Sequence, residues 1–227
     1  MGQSYRHELK FICSQSDLLL LENQIRFICP IDAYAGPSNS YNIRSIYFDS
    51  MDNEAYYENE NGDNDRSKYR IRIYDYSDKI IKLEQKSSHN GLKHKISCTL
   101  TREQCDSILI GDEVIPGKDQ SLLSSFLAQR RIQPLLPKVT VDYNRTPYVH
   151  PIGNVRITFD RNIRSSSYID LFQKDIPSRP ILPLGAGLLE VKYDEVLPGA
   201  ILEVLREGHE LHRTTFSKYY LCRSMTI

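Results

Sequence analysis

The chain predicts an α+β fold in which eight short strands form an antiparallel β-barrel with a charged lumen, its outer face covered by helices. Three observations lead there. Short runs rich in β-branched and aromatic residues recur along most of the 227 residues. Charged side chains occupy alternate positions within these runs, which puts them on one face of a strand. Amphipathic helical stretches lie between the runs and can cover the opposite, apolar faces.

The strands are predicted at 8–13, 41–49, 69–75, 80–86, 92–97, 139–145, 155–160 and 188–194. A first helix carries Leu18 to Leu21, Ile25, Phe27 and Ile28 behind Ser14 and Asp17, and Pro30 ends it. A second starts at Thr101, with Gln104 completing a capping box, and stops at Gly111. Further helices are predicted at 121–132, 198–207 and 215–223. The stretch 49–65 holds Asp52, Glu54, Glu58, Glu60 and Asp63 and reads as a solvated acidic connection around a short helix; its spacing is not that of an EF-hand.

Twenty-nine basic residues balance 29 acidic ones, which argues against a protein whose whole surface coats duplex nucleic acid or an anionic membrane. The five cysteines are odd in number and include no Cys-x-x-Cys pair, so a disulfide framework and a zinc ribbon are poor readings and a reducing compartment fits. No signal peptide and no run of membrane-spanning length is present, and the chain reads as cytoplasmic. With no repeat and no Gly/Ser linker, a single domain over 1–227 is expected.

Counting by twos separates the faces. Arg70 and Arg72 oppose Ile71 and Ile73; Lys82, Glu84 and Lys86 oppose Ile81 and Leu83. The same rule groups Lys93 with Lys95, Tyr143 with Arg145, Arg156 with Thr158 and Asp160, Glu190 with Lys192, and Glu8 with Lys10. Antiparallel strands with one face in solvent would also alternate. Like charges at i and i+2, however, repel unless an anion lies between them. A closed lumen lined this way must hold water, ions or a polyanion, because buried unpaired charges cost several kcal/mol each. A phosphate chain suits it best, since arginine forks and lysines bind phosphate oxygens and carboxylates hold the accompanying divalent cation. Glu8, Glu84, Asp160 and Glu190 are the carboxylate candidates.

An ordered set of motifs covers nearly the whole chain: Arg6-His-Glu-Leu-Lys-Phe11, Ile43-Arg-Ser-Ile-Tyr-Phe-Asp49, Tyr69-Arg-Ile-Arg-Ile-Tyr74, Leu83-Glu-Gln-Lys86, Val141-Asp-Tyr-Asn-Arg145 with Tyr148, Val155-Arg-Ile-Thr-Phe-Asp160, Leu189-Glu-Val-Lys-Tyr193 and Ser217-Lys-Tyr219. This set resembles the triphosphate tunnel metalloenzymes, the CYTH-like superfamily, and within them the VTC-type polyphosphate polymerase domain. The resemblance implies an eight-stranded antiparallel tunnel and a phosphotransferase that moves the γ-phosphate of ATP onto inorganic polyphosphate. It implies Arg70, Arg72, Lys86, Arg145, Arg156 and Lys192 as the catalytic cations and Lys10, Tyr143, Ser217 and Lys218 as further substrate contacts. Lys93 or Lys95 supplies another, with Lys95 favoured, and Lys82 and Glu84 are reserves. Glu190, with Glu8, is implied to hold Mn²⁺ or Mg²⁺.

One departure separates branches of the superfamily. CYTH-type hydrolases resembling this fold open with Glu-x-Glu-x-Lys, whereas Arg6 stands here before Glu8 and Lys10. A cation in place of a metal-binding carboxylate favours transfer to another phosphate over activation of water. An inorganic triphosphatase is the runner-up; a non-catalytic polyphosphate-binding module and adenylate cyclisation are further alternatives. The expected partners are ATP and polyphosphate, and any tie to a membrane would need a separate partner. His209 and His212 lack metalloprotease spacing, and no Walker or Rossmann glycine motif exists.

Overall fold

The structure, a computed structural model, describes residues 6–89, 92–206 and 211–227, with the backbone alone at 92 and 93. In chain order the elements are β1 (His7–Cys13), α1 (Gln15–Ile28), β2 (Tyr41–Asp49), α2 (Glu54–Asn61), β3 (Arg66–Tyr74), β4 (Ser77–His89), β5 (Leu92–Leu100), α3 (Arg102–Ile110), α4 (Ser121–Ile132), β6 (Leu136–His150), β7 (Val155–Ser166), β8 (Arg179–Pro180), β9 (Gly187–Tyr193), α5 (Gly199–Arg206) and α6 (Lys218–Ser224). All eight expected strands are present, several longer than expected, and the two-residue β8 makes a ninth. They form an antiparallel sheet in the order β1-β9-β7-β6-β2-β3-β4-β5, with β8 paired to β7. Closure of this order into a barrel is not detected among the described residues. None of the described helices is long and apolar enough to cross a membrane.

The chain divides into two compact units. The first comprises Met1–Asn42, Tyr143–Ile163 and Pro180–Ser217. Here β1 pairs with β9, and β9 with β7, in a register that sets Phe11 opposite Leu189 and Ile157 opposite Val191. These residues, with Phe159, pack on Leu18, Leu21 and Ile25 of α1 and on Ile201 and Leu205 of α5. Each such buried side chain contributes about 1.5–3 kcal/mol. Ser14 caps α1 by accepting from the Asp17 amide at 3.2 Å. A Cβ at Gly187 would sit 2.6 Å from the Asp160 carbonyl oxygen and 2.8 Å from Leu18 Cδ1, so a larger residue would push α1 and β7 away from β9.

The second unit comprises Ile43–Asp142, Arg164–Arg179 and Lys218–Ile227. Its strands align Ile46 with Ile71, Ile71 with Leu83 and Leu83 with Cys98. The apolar row so formed lies against Cys105 and Ile108 of α3 and Leu122, Leu123 and Phe126 of α4. The capping box of Thr101 and Gln104 is present, and Gly111 ends α3 at a φ of 96°. Asp75 and Tyr76, at φ 49° and 57°, form the two-residue turn between β3 and β4, as a right-twisted hairpin requires. Tyr76 is held there by the Arg44 guanidinium, 4.4 Å above its ring.

Candidate functional site

In the first unit, register places the charged residues in rows. Glu8 lies opposite Lys192, which lies opposite Arg156; Lys10 lies opposite Glu190, which lies opposite Thr158. The members of each row share a face because cross-strand partners point the same way. Lys192 Nζ stands 3.3 Å from Glu8 Oε1 and 3.6 Å from Glu190 Oε2. Lys10 Nζ lies 3.9 Å from Glu8 Oε2 and donates to the Phe216 carbonyl oxygen at 3.0 Å, next to Ser217. Arg145 meets Asp160 edge to edge, Nε to Oδ1 at 2.6 Å and Nη2 to Oδ2 at 2.7 Å, and Nη2 lies 3.6 Å from Glu190 Oε2. Burial works against the Arg145 charge, but Asp160, Tyr143 and Glu190 raise its pKa well above the ordinary value. The buried Tyr143 ring lies 5.3 Å from the same guanidinium. Arg156 instead turns to Asp32, Nη2 to Oδ2 at 2.9 Å, and to the Tyr41 hydroxyl at 3.3 Å.

In the second unit, Glu84 stands at the centre. It is 2% exposed. Its Oε2 accepts from Arg70 Nε at 2.6 Å, its Oε1 lies 2.5 Å from Lys95 Nζ, and Arg72 Nη1 stands 3.8 Å away. Burial raises the Glu84 carboxyl, but the charges of Arg70, Arg72 and Lys95 outweigh it and hold the group well below the usual carboxylate range. Tyr47 accepts from Arg70 Nη1 at 2.7 Å, and Ser45 from Arg72 Nε at 3.2 Å. Lys86 lies in register with Lys68 on one side and Lys95 on the other. The backbone of Lys93 faces Ser88, while its side chain lies outside the described residues. Lys218 opens α6.

The expected residues therefore fall in two groups. Glu8, Lys10, Tyr143, Arg145, Arg156, Glu190, Lys192 and Ser217 belong to the first unit, and Arg70, Arg72, Lys86, Lys93, Lys95 and Lys218 to the second. Glu84, a reserve in the sequence reading, is a hub. Ser45 and Tyr47 fall within the 43–49 motif but were given no role, and Asp32 carried no signal in the sequence, because only strand pairing and chain return bring these residues to their arginines. His212 is exposed and His209 lies outside the described residues.

Among the described residues no group of three or more His, Cys, Asp or Glu side chains forms a metal cage. Two carboxylates sharing one ammonium, as Glu8 and Glu190 share Lys192, nonetheless fit Mg²⁺ or Mn²⁺, which is commonly held by one or two carboxylates with substrate phosphates and waters. The buried Thr158 hydroxyl, on the same face, has no hydrogen-bond partner among the described residues, as expected of a polar site whose oxygen ligands come with its substrate.

A large antiparallel sheet with helices packed on its apolar rows and cations alternating with them accords with the triphosphate tunnel, or CYTH-like, class of fold. The VTC domain model matches residues 5–227, and the chain belongs to the VTC domain family. Among solved structures it is similar to a protein of Bacillus halodurans described as a candidate adenylate cyclase, at 17% identity and a TM-score of 0.54 over 91% of this chain and 89% of that one. It is similar also to a protein of Pyrococcus horikoshii, at 13% identity and a TM-score of 0.52 over 97% and 99%. These likenesses are of fold. No curated protein matches the chain in sequence.

Proposed function

We propose that this protein is a metal-dependent polyphosphate polymerase that transfers the γ-phosphate of ATP onto a growing inorganic polyphosphate chain. The observation that carries the reading is the composition of the two charged faces: arginines and lysines on alternate strand positions, gathered around the buried carboxylates Glu84, Asp160 and Glu190, in a chain of the VTC domain family. The organisation of 1–227 as one functional domain belongs to the same proposal, supported by a family match that runs through both units.

In this reading Arg70, Arg72, Lys86, Arg145, Arg156 and Lys192 bind and neutralise phosphate oxygens, and Lys10, Lys95, Lys93, Tyr143, Ser217 and Lys218 extend the contact. Asp160 and Glu84 hold the arginine planes so that little reorganisation accompanies binding. Glu8 and Glu190 would hold Mn²⁺ or Mg²⁺, which supplies charge neutralisation on the phosphates when bound. A terminal oxygen of the polymer forms a bond to the γ-phosphorus in line as the bond to the β,γ-bridging oxygen breaks, and ADP leaves. No protein nucleophile is required, and positioning with charge stabilisation carries the reaction. Arg6 supports transfer over hydrolysis: it ion-pairs with Asp194 at 3.1 Å and adds no carboxylate beside Glu8. A cytoplasmic setting is part of the proposal, consistent with five cysteines that are all free.

The test is to incubate the purified chain with ATP and Mn²⁺ and to resolve ADP, free phosphate, cyclic AMP and polyphosphate in one reaction. ADP matched by phosphate in polymer supports the polymerase. ADP matched by free phosphate makes it a hydrolase, cyclic AMP a cyclase, and tight polyphosphate binding without turnover a receptor.

A further inference from the structure

Thr158 is 3% exposed, and its hydroxyl has no hydrogen-bond partner among the described residues. A buried hydroxyl left without a partner is destabilising, and such groups in folded proteins are few. This one lies where chemistry is concentrated. Across β7 and β9 it faces Glu190, and on its own strand it is flanked two residues away by Arg156 and Asp160. The Glu190 carboxylate is drawn by two cations, Arg145 Nη2 and Lys192 Nζ, each 3.6 Å from its Oε2. That distance is ion pairing without a good hydrogen bond.

We infer that Thr158 is a positioning residue for Glu190: when a polyphosphate draws Lys192 to its own oxygens, the Thr158 hydroxyl donates to the Glu190 carboxylate and fixes it toward the divalent cation. The inference rests on the metal-dependent phosphate reading above. It accounts for the missing partner, because the hydroxyl acquires one only in the loaded state. It also makes the residue's two contributions opposite in sign. In the unloaded protein the hydroxyl costs stability; in the loaded protein it adds affinity. A residue that only fills space between strands would not divide in this way.

The experiment compares wild type with Thr158→Val, which keeps the shape and removes the hydroxyl, and with Thr158→Ser, which keeps the hydroxyl. Thermal midpoints are measured without ligand, and Mn²⁺ is titrated calorimetrically in the presence of tripolyphosphate. Thr158→Val is expected to melt at or above the wild-type midpoint and to bind Mn²⁺ about five- to tenfold more weakly, the worth of one hydrogen bond. Thr158→Ser is expected to restore the affinity. The pair Thr158→Ser and Thr158→Ala, differing only in the hydroxyl, repeats the comparison should valine disturb the packing. Unchanged Mn²⁺ affinity in both hydroxyl-free variants overturns the inference alone. Absence of Mn²⁺ and tripolyphosphate binding by wild type overturns the functional reading and this inference with it.

Discussion

Glu84 accepts from Arg70 Nε at 2.6 Å across β3 and β4, the two residues standing directly opposite in register. With Lys95 at 2.5 Å and Arg72 at 3.8 Å, a single carboxylate holds three of the cations proposed to bind phosphate. Glu84→Gln is expected to destabilise the protein by roughly 2–4 kcal/mol at neutral pH, as loss of one member of a buried ionic group does. Urea unfolding measures it.

The same pair sets a pH dependence. The folded-state Glu84 carboxyl lies below its unfolded value of about 4.3. Its stabilisation is therefore complete above that value and is lost as pH falls toward the folded one. The stability gap between wild type and Glu84→Gln should be widest at neutral pH and narrow steadily on acidification below about pH 4. A gap that stays constant to pH 3 would show that Glu84 is not held charged by its three partners.

Arg145 illustrates how a proposed binding role and a folding role can share one side chain. Asp160 is 0% exposed, so Arg145→Ala leaves its carboxylate buried without the edge-to-edge fork. On the proposed phosphate-binding role alone, that variant, like Arg70→Ala or Glu190→Ala, would lose product formation with the fold intact. The burial of Asp160 instead predicts a stability loss of roughly 3–5 kcal/mol for Arg145→Ala, read by chemical unfolding. Arg145→Lys should recover only part of it, because an ammonium cannot match the fork.

Arg44 behaves differently from the arginines of the charged faces. It is 2% exposed and lies in the row of Ile73, where it pairs with Asp142 at 2.7 Å and donates to the Lys174 carbonyl oxygen at 3.0 Å. Arg44→Lys is expected to cost about 2–3 kcal/mol of stability. Tripolyphosphate affinity, measured on the folded protein, should stay at the wild-type level, since the guanidinium is spent on the chain itself.

Tripolyphosphate should raise the thermal midpoint of the wild type, because an anion that binds only the folded state stabilises it. The shift should shrink as salt is raised, since screening weakens contacts between exposed charges. Lys86→Ala should reduce the shift. An equal shift in wild type and Lys86→Ala would remove this lysine from the proposed contact set.

Strand and helix positions were legible in the sequence because they depend on local physics. Alternation separated Ile71 and Ile73 from Arg70 and Arg72, and the Thr101–Gln104 box marked the start of α3; both stand as read. The short β8 escaped notice because two residues carry no periodicity. The choice of partners was not legible in the same way. Counting by twos assigns Glu84, Asp160 and Glu190 to charged faces but does not say that Glu84 gathers Arg70, Arg72 and Lys95, or that Arg156 turns to Asp32.

Periodicity over a few residues carries the α+β class, the eight main strands, the apolar rows and the alternation of charged with apolar side chains along them. Long-range packing sets which carboxylate meets which cation, that Arg44 pins the segment ending at Lys174, and that the Thr158 hydroxyl is buried without a partner among the described residues. Those outcomes depend on strand register and on segments distant in sequence returning to one place, and a short-range pattern carries no record of either.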